Sequence, residues 1–83
     1  MDILVRTTNF KVGDLVCLGE SPWAKQRVNS YPGIFKVKAV DGGTLILEFY
    51  QNNLERDIPG EVVHFGSTPH AWVNANHFVL YEE

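Results

Sequence analysis

Three histidines, His64, His70 and His77, stand six and seven positions apart, and one cysteine, Cys17, lies far upstream. Imidazole and thiolate together suggest zinc chemistry. Structural zinc sites, however, draw ligands from tight pairs about two to four residues apart and use more cysteine. This spacing offers neither, so the histidines read as scattered surface or turn residues, and no metal or other cofactor is expected. Ser21, Ser30 and Ser67 lack the strained strand-to-helix context of an exposed nucleophile. Cys17 falls inside a predicted strand, with nothing beside it to lower its pKa. Asp57 and Glu61 are close together, as an acid–base pair would be, but a charged loop explains them. Catalysis needs several such groups converging, and an enzyme is not expected.

Binding chemistry is better represented. Lys25, Arg27, Lys36 and Lys38 interleave with Trp23, Tyr31 and Phe35. Basic grooves with aromatic platforms hold single strands, and RNA is often read by stacking. Against this stand only seven Lys and Arg residues and a net charge of −3. The electrostatic term that dominates nucleic-acid binding would be modest. Solvent-facing lysines on a half-buried hairpin account for the same pattern, so nucleic-acid binding is the alternative reading. Trp23, Tyr31, Tyr50, Trp72 and Tyr81 are many large aromatics for so short a chain, and Trp and Tyr are favoured in protein-binding patches. Trp23, Tyr31 and Trp72 are the expected anchors for a protein partner, although a Trp that closes the end of the core is as good an account of Trp72. Asp57 and Glu61, with Glu20, would suit a basic partner.

These residues belong to 83 positions, one domain's worth, and a chain of this size buries roughly 60–65% of its unfolded surface. An apolar fraction of 45% and a charged fraction of 20% are ordinary for a soluble globular protein. Charge is uneven along the chain: residues 1–38 hold six basic against three acidic side chains, and residues 39–83 hold one against seven. Such asymmetry bears on partner steering and not on fold. One cysteine excludes an internal disulfide and suits a reducing compartment. No run approaches the roughly 18 apolar residues of a membrane span, and "MDILVRTTNF" has no apolar block long enough for a signal peptide. A cytosolic location is expected, with no membrane contact.

The pattern is β-strands divided by turn signals. Gly13-Asp14 opens the strand "DLVCL", with Val16 and Leu18 inward. Ser21 and Pro22 suit the N-cap and first position of one helical turn over Trp23 to Arg27. Pro32-Gly33 suits the centre of a type II turn. "IFKVKAV" then places Phe35, Val37 and Ala39 on one face and Lys36 and Lys38 on the other. Asp41-Gly42-Gly43 is a hairpin turn, and "TLILEFY" follows with Leu45, Leu47 and Phe49 inward. Residues 51–61 read as loop, "VVHF" as a possible short strand, and "AWVNANHFVLY" as two strands around a polar turn at Asn74 to His77.

This order resembles the SH3-like small barrel. There a long aromatic loop follows the first strand, and a single 3₁₀ turn joins the fourth and fifth. "FKVGDLVCL" with "YPGIFKVKAVDGGTLIL" is also similar, over residues 10–47, to the C-terminal barrel of retroelement integrases. The resemblance implies an all-β, SH3-like barrel of five to six strands over residues 1–83, with an insertion at residues 51–70 between strands three and four. In SH3-like folds, aromatics of the first long loop and of strand four line a groove, which is where Trp23, Tyr31 and Trp72 fall. The expected function is a small protein-interaction module, such as a phage or bacterial accessory or inhibitor protein that docks on a larger protein. The 51–70 loop would be a second contact. Open barrel edges can also pair, so a homo-oligomer is a variant of the same reading.

Overall fold

The computed structural model describes residues 10–65 and 71–81. Within them lie five strands: β1 Leu15–Leu18, β2 Ile34–Asp41, β3 Thr44–Gln51, β4 Val73–Asn74 and β5 Phe78–Leu80. Every pairing is antiparallel, and the strands form one sheet in the order β4-β3-β2-β1-β5. A six-residue helix, α1, covers Pro22–Arg27 between β1 and β2. A 3₁₀ turn, Ala75–His77, joins β4 to β5.

The β2–β3 hairpin is the longest pairing and follows from the apolar alternation of both strands. Phe35, Val37, Leu45, Leu47 and Phe49 are buried on its inner face. Asp41 pairs with Thr44 around Gly42-Gly43, and the Thr44 hydroxyl donates to the Asp41 carbonyl at 2.8 Å. One expectation fails inside the hairpin. Ala39 does not continue the inward face, because the register shifts between Val37 and Ala39. A bulge at Lys38 pairs Ala39 with Ile46 on the outer face and leaves Ala39 half-buried.

The expected closed barrel does not form. The sheet is open, with β4 and β5 at its two edges. β4 supplies two residues and β5 three, too little ladder to meet around the core. The inner face is covered instead by α1 and by the chain returning from β3. Val63 and Phe65 of that return are 0% and 1% exposed and lie in the main core with Val16, Phe35 and Phe78. "VVHF" makes a single bridge, Glu48 to Val62, and no sixth strand is present among the described residues. The backbone there is nevertheless tied to β3, with Phe49 N–H donating to the carbonyl of Glu61, just ahead of the segment, at 3.0 Å and Val63 N–H to the Leu47 carbonyl at 2.8 Å. The segment expected as an insertion for a partner thus contributes to the core. Residues 66–70, including Ser67 and His70, lie outside the described residues.

Candidate functional site

The long segment between β1 and β2 builds its helix from its first two residues. Ser21 is the N-cap, its Oγ accepting the Ala24 N–H at 3.1 Å, and Pro22 occupies the first turn, where its missing N–H costs nothing. Ala24 is fully buried. Trp23 and Arg27 are one helical turn apart, so their side chains share a face. The Arg27 guanidinium lies over the Trp23 ring, 4.3 Å from its centroid, and one of its N–H groups donates to the Trp23 carbonyl at 3.0 Å. The Tyr31 N–H donates to the Arg27 carbonyl at 2.8 Å and brings the chain round to β2.

The 3₁₀ turn meets this helix through His77. Its ring stacks on Trp23 with centroids 4.4 Å apart and planes 18° from parallel. His77 Nδ1 lies 2.8 Å from Ser21 Oγ. The Ser21 oxygen also accepts the Ala24 N–H, so one hydroxyl ties the helix start to the imidazole, and which of the two groups donates across the Ser21–His77 bond follows the ring's tautomer. The His77 carbonyl accepts the Gly19 N–H at 2.8 Å. Burial, and then the nearby Arg27 charge, hold the His77 pKa below the ordinary histidine value. Trp23 also meets Phe65 at 5.7 Å and Phe78 at 6.1 Å. Tyr31 packs on the same Phe65 at 4.8 Å and donates its hydroxyl to the His64 carbonyl at 3.1 Å.

The structure therefore brings Trp23 and Tyr31 together over one buried ring, Phe65. Both pack against the core and both are half-buried, so they form an aromatic rim at its edge. Trp72 is half-buried just ahead of β4, beside the core residue Val73. The basic residues are not brought together. Lys25 and Arg27 are on α1, on the core side of the sheet. Lys36 and Lys38 project from its outer face, with Lys36 5.6 Å from the Tyr50 ring centroid and Lys38 3.7 Å from Glu48. Asp57 and Glu61 sit in the turns after β3, and no hydrogen bond or ion pair joins either carboxylate to α1 among the described residues.

The Ser21–His77 pair has two parts of a nucleophilic site and lacks the others. The hydroxyl is committed as a helix cap, and no described carboxylate orients the imidazole. It acts as a clamp between α1 and the 3₁₀ turn. Burial raises the pKa of Cys17, which disfavours the reactive thiolate. No metal-binding group of three or more His, Cys, Asp or Glu side chains occurs among the described residues. Sequence reasoning treated His77 as a turn residue and missed its place against Trp23, since the two are distant in the chain. The Arg27–Trp23 stack had a signal, the i,i+4 spacing on a predicted helical turn. The role of Phe65 was signalled by its alternation with Val63. The chain matches no protein-family model, no curated protein and no solved structure.

Proposed function

We propose that this chain is an SH3-like interaction module, not an enzyme, and that it docks on a larger protein through the rim formed by Trp23 and Tyr31. The strand order β4-β3-β2-β1-β5 and the single 3₁₀ turn between β4 and β5 support the SH3-like part of this reading. The observation that carries the docking part is the fixed, half-exposed state of Trp23. Arg27 and His77 hold its ring in place while part of it meets solvent. An aromatic anchor ordered before binding loses little side-chain entropy on association. Trp72 and the loop after β3 are secondary contacts in this reading. Nucleic-acid binding is less well supported, because Lys36 and Lys38 face away from Lys25 and Arg27.

The test is a tagged pull-down from a bacterial lysate, with and without nuclease, using wild-type chain and Trp23→Ala, with thermal midpoints measured for both. The expected result is a stoichiometric protein that survives nuclease and is lost from a folded Trp23→Ala chain. Capture that disappears with nuclease would move the function to nucleic acid. A Trp23→Ala chain that no longer folds would make this ring a packing residue and remove it as anchor.

A further inference from the structure

We infer that the segment docking on this rim presents a carboxylate to Arg27, so that the partner surface is acidic. The inference rests on the docking reading above and adds the chemistry of the partner. Arg27 stacks on Trp23 and gives one N–H to the Trp23 carbonyl. No carboxylate lies within ion-pair distance of it among the described residues. Guanidinium carries five N–H donors in a planar fork, and stacking on an indole covers its face while leaving donor edges for a carboxylate. Glu20, the acid nearest in sequence to α1, stands 3.8 Å from Lys25 instead. Both of those side chains are largely in solvent, at 67% and 91% exposure, so the pair is weak and leaves Arg27 without an acid of its own among the described residues.

The local charge thus opposes the net charge of the chain. Asp57 and Glu61, expected from sequence to draw a basic partner, make no ion pair with α1 among the described residues, and Arg27, the cation stacked on Trp23, does the selecting. Phosphates would satisfy Arg27 equally well at one point. A nucleic-acid strand, however, needs a track of cations, and Lys36 and Lys38 lie on the other face of the sheet, engaged with Tyr50 and Glu48. A protein carboxylate needs only the one fork and the aromatic surface beside it.

A displayed library of random short peptides, selected separately on wild-type, Arg27→Gln and Trp23→Ala chains checked for fold by circular dichroism, tests this. Peptides enriched on wild type should be rich in Asp and Glu. A synthesised winner should lose about tenfold or more in affinity when its acids become Asn and Gln, since bonds to charged groups are the strong ones. Arg27→Gln should lose a similar factor, and Arg27→Lys should recover part of it. If Arg27→Gln does not fold, the amide-substituted peptide on the wild-type chain decides. Peptides that need Trp23 yet are basic or indifferent to charge would overturn the acidic partner and leave the docking site standing. No enrichment, or peptides indifferent to Trp23, would overturn both. Displacement of the winner by a single-stranded oligonucleotide at low salt would reassign Arg27 to phosphate.

Discussion

His77 joins three things at one ring: the N-cap of α1, the indole of Trp23 and the turn into β5. Its charge state therefore bears on the whole rim. In the folded chain its pKa lies below the ordinary value of 6.5, because burial and the Arg27 charge both disfavour the cation. The unfolded chain, with its histidine near 6.5, then binds more protons than the folded one in the interval between the two values. The His77 contribution to stability is complete above 6.5, falls as acid takes the solution through the interval, and is flat below the folded value. Denaturant unfolding followed across this range should show that decline in the wild-type chain, and His77→Gln should lack the part that depends on histidine. Equal slopes for the two chains would mean that the ring is not held in its neutral form. The cation facing the ring argues for the direction, since Arg27 reaches it from α1, while Lys25 on the same helix pairs with Glu20.

Elements show how local chemistry and long-range packing divide the work. The turn between Tyr31 and Ile34 depends on Gly33, whose φ is +96° and whose position for a Cβ lies 2.5 Å from the Asn52 carbonyl oxygen. Gly42 in the β2–β3 turn also has a positive φ, +61°, but nothing lies within 4 Å of its Cβ position. A left-handed residue with a side chain costs about 1–2 kcal/mol in backbone strain. Gly42→Ala should cost about that, whereas Gly33→Ala should cost more, because the backbone of β3's exit must also move. Unfolding curves for both variants check the order, and equal losses would show that the Asn52 contact yields freely. Both turns were legible in the sequence, as were Ser21-Pro22, the inward residues of β3 and the polar turn at Asn74 to His77, which the structure forms as a 3₁₀ turn over Ala75–His77 capped by Asn74. Each of these rests on interactions within a few residues. What was not legible depended on partners far away in the chain. The bulge at Lys38 exists because β2 and β3 shift register. Barrel closure failed because β4 and β5 are short, and an element's end is fixed by packing more than by propensity. The candidate site divided the same way. Trp23 and Tyr31 are singled out by residue type, but their meeting over Phe65, the His77 stack and the separation of the basic residues onto two faces required the fold.

At the scale of the molecule, the sheet is completed by its last strand. Val16, Cys17 and Leu18 near the start of the described chain pair with Leu80, Val79 and Phe78 near its end. Phe78 is 3% exposed and meets Trp23, Phe35 and Phe65 at their edges. β1 has only β2 on its other side, and its register there is short, Leu15 with Lys36 and Val16 with Phe35. Bonds from Gly13 N–H to the Val37 carbonyl and from Val37 N–H to the Asp14 carbonyl extend that side, so β1, and through it α1 and the rim, is held from two sides, and β5 supplies one of them. A chain truncated after His77 loses the buried Phe78 ring, a change that costs about 3–5 kcal/mol for a core Phe side chain alone, and loses the β1–β5 ladder as well. So small a domain has about 5–15 kcal/mol or less to lose. The truncated chain should therefore show no cooperative thermal transition by circular dichroism. Val79→Lys, at a position of the same strand that is 46% exposed, should keep the transition. A cooperative transition in the truncated chain would mean that the β2–β3 hairpin and the Val63–Phe65 return form a stable unit without the final strand. The rim at Trp23 would then be an addition to that unit and not part of it.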